Sequence, residues 1–490
     1  MVRVAGVPLF GGRPMRSEGR SVNAGRCTVL TTRGGLTRGA RGSRIGKHSP
    51  QPTSEMRRTA LALLPLAAAC AAPRPVAVPT PTPMLAPVAV LTPASPREVG
   101  MLATLPARLD SIANDAIANG TAPAIAVAVG RHGRLVHMAS YGRIDRPEGS
   151  PAVNDSTLFD LASLTKVIAT TTVAMRMEQD SLLDLDRTVA SYLPEFNDSA
   201  KAGITVRMLM VHTGGMEAGA PLHRQFRGRE AYLQQISQRP LRFAPGTRTV
   251  YSDWDMVLAG FIIERLTGRT LDMVADEQVF RPLGMRDTRW NPGAALRPRT
   301  AATEVAADRG GLIWGEVHDA NAWAIGGVAG HAGLFSSVRD MAVFAQMLLN
   351  GGEYNGVRIL RPQTVARWTA PQGRGASRAL GWDTPSDHSS AGRYFGPRSF
   401  GHTGYTGTSL WIDPERGLFV IILTNRVNPT AENQKHVGLR RAIADAVQEA
   451  IVDAPLVDWE ARRQLGEWGM GNGEWGMGNP LFVAPLFLSS

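Results

Sequence analysis

The position of two β-hairpins near opposite ends of the predicted folded region constrains the fold most. Apolar residues alternate in Ala124–Val129 and Leu135–Tyr141, which a glycine-bounded turn at 130–133 connects. A second pair, Thr408–Asp413 and Leu418–Thr424, lies far downstream, and the intervening sequence is mostly helical in pattern. This order predicts an α+β fold. One antiparallel sheet is assembled from distant segments and flanked by helices, with a mostly helical subdomain inserted between them.

The segment Leu161–Glu178 has helical spacing and carries a serine and a lysine at its start, Ser163 and Lys166. Positions three apart share a helix face, so Lys166 can reach back to the hydroxyl of Ser163. Burial would place the pKa of the lysine well below the roughly 10.4 of a model peptide, and a neutral amine could then accept the serine proton. On this motif alone, an ordinary amphipathic helix is the alternative interpretation.

The net charge of +11 suggests nucleic-acid binding only until the charges are located along the chain. Residues 1–55 contain ten basic and two acidic residues, and Arg57 and Arg58 add two positive charges, so the sequence from residue 59 onward carries only +1. A phosphate-tracking surface needs basic residues on the folded domain. The sequence therefore predicts no nucleic-acid partner.

Residues 56–70 have the pattern of a bacterial lipoprotein signal peptide. Arginines follow Met56, a short apolar run comes next, and Ala-Ala-Ala-Cys70 resembles a cleavage box in which Cys70 is lipidated and tethers the protein to a membrane. Ala67 stands where such boxes usually carry leucine. Met56 as the true start codon would make residues 1–55 an over-extended reading frame; a disordered basic arm is the alternative. We expect an exported periplasmic or cell-envelope lipoprotein of a bacterium.

Composition divides the rest of the chain into a linker, one domain and a tail. Residues 71–97 are rich in proline and alanine and predict an extended tether, and 98–455 form the predicted domain. Residues 456–490 form an irregular tail in which a heptapeptide occurs twice. Since Cys27 is the only other cysteine, we expect neither a disulfide nor a thiol nucleophile in the mature domain. The oligomeric state cannot be predicted from these features.

Three motifs occur in a recognisable order: Ser163-Leu-Thr-Lys166, Tyr251-Ser-Asp253 and Gly401-His-Thr-Gly-Tyr405. Together they resemble the serine β-lactamase and penicillin-binding protein superfamily over about residues 100–452. The similarity is to the class C-like branch of esterases, D-aminopeptidases and carboxypeptidases. A β-lactamase-like fold and an acyl-enzyme mechanism are what this resemblance implies.

The resemblance also implies catalytic roles for three side chains. Ser163 would attack a carbonyl carbon, Lys166 would accept or share its proton, and Tyr251 could pass a proton to the leaving group. The backbone N–H groups of Ser163 and Tyr405 would form the oxyanion hole. A core position is the alternative interpretation of Tyr251.

The substrate-binding residues implied by the resemblance are Asp253, His402, Thr403, Gly404 and Tyr405. Two of them depart from the β-lactamase pattern, because Asp253 replaces an asparagine and His402 replaces a lysine. Histidine is mostly uncharged near neutral pH, and an aspartate adds negative charge. Both changes disfavour anionic substrates, so neutral or basic esters and amides are expected ahead of penicillins.

The remaining candidates are four residues in family-typical stretches, for which we predict turn and core roles: His212, His318, Asp319 and His331. No His-x-x-x-His or paired-cysteine spacing indicates a metal site, and no cofactor is expected. The predicted function is therefore that of a serine hydrolase acting on esters or on cell-wall peptides. A D,D-carboxypeptidase, D-aminopeptidase, β-lactamase or non-catalytic cell-wall binding module is the alternative.

Overall fold

The computed structural model describes residues 90–372, 377–387 and 389–465, which belong to one compact unit. The predicted N-terminal extension, the signal with Cys70, most of the linker and the repeated heptapeptide lie outside the described residues. Within the described ranges, no helix is both long enough and apolar enough to cross a membrane.

A six-stranded sheet organises the molecule. Its strands, in order across the sheet, are Thr92–Pro93 (β1), Arg134–Gly142 (β3), Ala124–Arg131 (β2), Leu418–Thr424 (β13), Ser409–Asp413 (β12) and Phe400–Thr403 (β11). All neighbouring pairs are antiparallel except β1 with β3. Both predicted hairpins are confirmed, and they pair with each other through β2 and β13. The strands are β1 Thr92–Pro93, β2 Ala124–Arg131, β3 Arg134–Gly142, β4 Phe159–Asp160, β5 Arg289–Trp290, β6 Val305–Ala306, β7 Gly311–Leu312, β8 Leu334–Ser336, β9 Glu353–Tyr354, β10 Val357–Arg358, β11 Phe400–Thr403, β12 Ser409–Asp413 and β13 Leu418–Thr424.

Helices connect and cover the strands. The α-helices are α1 Leu105–Ala118, α2 Thr172–Gln179, α3 Val189–Tyr192, α4 Val206–Met210, α5 Arg229–Gln238, α6 Asp253–Thr267, α7 Leu271–Ala275, α8 Ala320–Ile325, α9 Val338–Leu349, α10 Pro362–Thr369, α11 His436–Glu449 and α12 Trp459–Gln464. Two π-helical segments, Lys166–Thr171 and Asp276–Phe280, continue into or out of these helices. Short 3₁₀ turns occupy Pro96–Val99, Pro194–Phe196, Leu222–Arg224, Ala294–Arg299 and Ala307–Arg309.

The central strands separate two hydrophobic cores. In β2, Ala126 and Ala128 face the larger core, while Val127 and Val129 face a smaller core that includes residues of α1 and α11. Because helices cover both faces, every residue of β2 and β13 is buried. This arrangement confirms the predicted α+β fold, and it places the edge strand β11 beside the segment that carries Ser163.

Ordered structure extends beyond the predicted domain on both sides. Thr92–Pro93, within the predicted linker, pairs in parallel with β3, and Trp459–Gln464, within the predicted tail, is helical. The α-helix Val189–Tyr192 ends before a 3₁₀ turn at Pro194–Phe196, because Pro194 lacks the N–H that would continue the α-helix.

Candidate active site

Ser163 lies in a turn immediately before the helical segment that leads into α2. Ala162 precedes it with φ of 47°, a left-handed conformation that is unusual for alanine. The Asp160 carboxylate accepts a hydrogen bond from Ala162 N–H at 2.8 Å and another from His318 N–H at 2.7 Å. Burial raises the pKa of Asp160, while these bonds oppose that shift. Asp160 thereby holds the strained turn that presents the serine hydroxyl.

Lys166 is completely buried, and its ammonium makes three short contacts. Nζ lies 2.9 Å from Ser163 Oγ, 2.8 Å from Asp253 Oδ1 and 3.0 Å from the carbonyl oxygen of His331. The predicted approach of Lys166 to Ser163 is therefore present. The contact with Asp253 joins residues distant in sequence and makes this aspartate a partner of Lys166.

The expected depression of the Lys166 pKa is wrong. Burial acts to lower it, but the charge of Asp253, followed by the interaction with Tyr251, outweighs burial and raises the pKa above its ordinary value. The amine is therefore an ammonium at neutral pH in the free protein. It must lose its proton to a neighbouring group or to solvent before it can act as a base.

Tyr251 lies against Lys166 at the start of α6. The lysine Nζ is 5.0 Å from the centre of the tyrosine ring. His212 packs 4.8 Å from the same ring, and its Nδ1 pairs with the buried carboxylate of Asp255 at 3.0 Å. Burial lowers the pKa of His212 and raises that of Asp255. This neutral pair supports the Tyr251 ring from behind.

His402 lies in β11, with its ring 5.8 Å from the Tyr251 ring. Its Nδ1 donates to the carbonyl oxygen of Thr403 at 2.8 Å, so Nε2 carries the lone pair in the neutral ring. Nε2 is buried and has no partner within the described residues. Burial, and then the charge of Arg378, hold the pKa of His402 well below its usual range. His402 is therefore a neutral acceptor, as predicted for a histidine at this position.

Gly404 and Tyr405 form the turn after β11. A Cβ at Gly404 would lie 2.1 Å from Thr408 Oγ1 and 2.4 Å from the carbonyl oxygen of Leu161, so only glycine allows this approach. The backbone N–H groups of Tyr405 and Ser163 have no acceptor in the described part of the chain. Two unpaired amides at this position suit an oxyanion hole.

The turn after β11 is fastened directly to the nucleophile turn. Thr406 Oγ1 donates to the carbonyl oxygen of Asp160 at 2.6 Å, and Thr408 Oγ1 donates to that of Leu161 at 3.0 Å. The Tyr405 side chain is 54% exposed and stacks on His318 with ring centres 5.8 Å apart. It therefore forms part of the rim, where a substrate could contact it.

Sequence reasoning missed Arg378. Its guanidinium carbon lies 5.0 Å from the centre of the Tyr251 ring, and its buried Nη1 has no hydrogen-bond partner in the described chain. Backbone bridges connect Arg378 to Asp383 and Asp383 to Gly401, which place the arginine next to β11. The cation absent from the third motif is thus supplied by another segment. No pattern around residue 378 signals this role.

Of the four residues predicted to have turn and core roles, His212, Asp319 and His331 lie behind the site, whereas His318 lies against Tyr405 at the rim. His331 Nε2 contacts Asp319 Oδ1 at 3.0 Å, and the His331 carbonyl holds Lys166. Asp253, Asp319 and His331 offer ligand atoms within 4.8 Å of one another, a cluster that sequence spacing could not reveal. The Lys166 ammonium already neutralises Asp253, so a divalent cation would have to compete with that charge.

Comparisons with known proteins agree with this geometry. The β-lactamase family model matches residues 109–445. A Salmonella typhimurium protein named as a D-alanyl-D-alanine carboxypeptidase is 33% identical over 382 residues, covering 71% of this chain and 88% of the relative.

Solved structures share the fold. The hydrolase EstCE1, described as having promiscuous acyltransferase activity, is 25% identical with a TM-score of 0.58, covering 70% of this chain and 98% of its own. A penicillin-binding protein homologue from Caulobacter crescentus is 20% identical with a TM-score of 0.57, covering 71% and 99%. The chain therefore belongs to the β-lactamase family, within the serine β-lactamase and penicillin-binding protein superfamily, and is a serine hydrolase.

Proposed function

We propose that the protein removes a carboxylate-terminated residue, such as a terminal D-alanine, from a cell-wall peptide through an acyl-enzyme on Ser163. The proposal is carried by Arg378, which lies beside Tyr251 and His402 and whose buried Nη1 has no hydrogen-bond partner among the described residues. A buried N–H group without an acceptor costs free energy, and a substrate carboxylate at Nη1 would offset that cost. The name of the Salmonella relative supports the same substrate class.

This proposal reverses the substrate order expected from the motifs. That order assumed that a neutral histidine in place of lysine left the site without an anion-binding cation. Arg378 supplies such a cation, and the negative charge of Asp253 is paired with the Lys166 ammonium. Both arguments against an anionic substrate are thereby weakened.

In the proposed reaction, the Lys166 ammonium first loses a proton to solvent. Ser163 Oγ then attacks the carbonyl carbon of the peptide bond while its proton passes to the neutral amine of Lys166. The unpaired amides of Ser163 and Tyr405 bind the oxygen as it gains negative charge. The proton then moves through Tyr251 to the leaving amine, and the C–N bond breaks. Water completes hydrolysis of the acyl-enzyme.

The test compares an N-acylated peptide ending in D-alanyl-D-alanine with the same peptide carrying a C-terminal amide. The proposal predicts D-alanine release from the free acid and much slower cleavage of the amide. Arg378→Gln should lower kcat/KM for the acid by about 10- to 100-fold and leave the amide nearly unchanged. Arg265→Gln, which removes an exposed arginine paired with Glu195, is the matched control. Equal losses on both peptides would contradict the role of Arg378.

Esterase activity is the second candidate. The neutral His402 and the esterase-type structural neighbour at 25% identity favour it. Short-chain p-nitrophenyl esters should turn over faster than nitrocefin. Rapid ester cleavage without D-alanine release would make this candidate the leading one.

The cellular location is a further proposal. The sequence of residues 56–70 supports export and lipidation at Cys70. Metabolic labelling with an alkyne fatty acid, followed by fractionation, tests it. We expect label in the wild type and none in Cys70→Ser; label in both would overturn the assignment of Cys70.

A further inference from the structure

Arg440 is a buried cation, directly behind the turn that carries the Tyr405 amide. It lies in α11 and is 6% exposed. Nη2 donates to the carbonyl oxygens of Gly404 at 2.6 Å and Thr408 at 2.7 Å, and Nε donates to that of Gly407 at 3.1 Å. Within the described residues, no carboxylate pairs with it. Burial, and then the charge of Arg426, lowers its pKa to about 9, so it remains charged at neutral pH.

The bond to Gly404 determines the direction of the Tyr405 amide. The carbonyl of Gly404 and the N–H of Tyr405 belong to one trans peptide unit, in which they point in opposite directions. Since the carbonyl points at Arg440, the N–H points away from the arginine. A cation bound to the carbonyl also polarises the peptide unit and makes its N–H a stronger donor.

We propose that Arg440 is a positioning residue that aims and polarises the Tyr405 amide, so that its buried charge stabilises the oxyanion one peptide unit away. In the free protein this charge has no carboxylate partner among the described residues, and the negative oxygen of the tetrahedral intermediate supplies an anion. The interaction is thus stronger in the transition state than in the ground state, which is the condition for catalysis. The inference rests on the proposed role of Ser163 as nucleophile.

Arg426 provides a matched comparison, because it binds the same turn by a different peptide unit. Its Nε donates to the carbonyl oxygen of Tyr405 at 2.7 Å, which belongs to the peptide unit of the Thr406 amide. Replacement of Arg426 should loosen the turn without removing polarisation of the Tyr405 amide. A purely structural role for Arg440 would make both arginines behave alike.

The experiment measures two quantities. The first is the affinity for phenylboronic acid, whose tetrahedral adduct with serine mimics the oxyanion. The second is the frequency of the infrared carbonyl stretch in the acyl-enzyme formed from a slowly hydrolysed ester. Arg440→Gln should weaken boronate binding by about 10- to 100-fold and move the stretch to higher wavenumber, with little change in KM. Arg440→Lys, which keeps the charge, should recover part of both effects. Arg426→Lys should leave the stretch unchanged.

The outcomes separate this inference from the proposed function. Failure of the wild type to bind boronate at Ser163 would reject the nucleophile itself. If the wild type binds boronate normally and the carbonyl stretch of the acyl-enzyme has the same frequency in wild type and Arg440→Gln, the role of Arg440 alone would be overturned. If Arg440→Gln does not fold, Arg440→Lys is compared with Arg426→Lys. The inference then requires weaker boronate binding and a shifted stretch only in Arg440→Lys, and equal values would overturn it.

Discussion

The two walls of the site differ in how completely their polar groups are paired. In the wall behind Ser163, four side chains bind the backbone of the nucleophile turn or of the turn after β11: Asp160, Thr406, Thr408 and Arg440. The amides of Ser163 and Tyr405, which have no acceptor among the described residues, are left for the substrate oxygen. On the opposite wall, His212, Arg378 and His402 each have a buried polar atom with no hydrogen-bond partner in the part of the chain that the structure describes. Paired groups fix geometry, whereas unpaired buried groups are costly unless a ligand satisfies them. The difference indicates that one wall positions the reacting groups and the other recognises substrate.

The largest expected effect is on acylation and comes from Lys166, which contacts Ser163 on one wall and Tyr251 on the other. Lys166→Ala should lower the acylation rate by about 100- to 10,000-fold, because Ser163 loses its proton acceptor. The free energy of unfolding should change by less than about 1 kcal/mol, because the half-buried Asp253 can be hydrated from the cleft. Stopped-flow acylation and chemical denaturation measure the two quantities.

Lys201→Ala is the matched control for Lys166→Ala. Lys201 is equally buried and bonded to Asp198 and to the carbonyl of Ser237. Its loss should destabilise the protein without slowing acylation. Acylation that survives in Lys166→Ala would show that another group is the base.

Asp160→Asn tests the hydrogen bonds that hold the nucleophile turn. Asparagine replaces one carboxylate oxygen with an N–H₂ group. That group faces an N–H donor and cannot accept its hydrogen bond, so one of the two bonds is lost. We expect the protein to be destabilised by about 1–3 kcal/mol and acylation to slow by about 10- to 100-fold.

Asp340→Asn calibrates that result, because Asp340 is another buried carboxylate, bonded to Asp287 N–H and Thr288 Oγ1. Both donors reach the same oxygen, Oδ2, whose place an amide oxygen can take. Asp340→Asn should therefore lose less stability than Asp160→Asn and retain its acylation rate per folded molecule. Equal slowing in both variants would mean that Asp160 acts only through global stability.

The pH dependence of acylation tests the contact between Asp253 and Lys166. The aspartate raises the pKa of the lysine, so the acid limb of the kcat/KM profile should lie at high pH in the wild type. Asp253→Asn removes that charge, and the limb should move to lower pH by about one to three units. An unmoved limb would show that this ion pair does not control the proton on Lys166.

His402 gives the smallest effect, on the pH dependence of stability. Its folded-state pKa lies well below its unfolded value of about 6.5, so the unfolded chain binds a proton that the folded protein does not. Stability should therefore fall as the pH drops below about 6.5. His402→Gln should reduce this slope by about 1.4 kcal/mol per pH unit, measured by denaturation between pH 7 and pH 5.

His436→Gln is the control for His402→Gln, because burial lowers the pKa of His436 to about 3 at a position in α11. It should flatten the stability slope to a similar extent while leaving substrate specificity unchanged. A full slope in His402→Gln would mean that His402 is protonated in the folded protein.

The sequence predicted what depends on short-range spacing. Ser163 and Lys166 are three residues apart, and the hairpin strands follow a period of two, so both could be identified from local patterns. The resemblance supplied Tyr251, His402 and the Tyr405 amide.

What the sequence did not predict depends on contacts between distant segments. The Lys166 pKa was predicted with the wrong sign because the balance between burial and Asp253 depends on a 2.8 Å distance. Arg378 reaches the site through an irregular turn that has no pattern. Arg440 did leave a signal, since it is a charged residue on the apolar stripe of α11 with Ile443 and Val447.

The most direct test of Ser163 as the nucleophile is labelling with a fluorophosphonate probe, followed by peptide mapping by mass spectrometry. The geometry predicts one adduct, located on Ser163, that is lost in Ser163→Ala and strongly slowed in Lys166→Ala. A protein shown to be folded by circular dichroism that takes up no probe, or takes it up at another residue, would contradict the assignment.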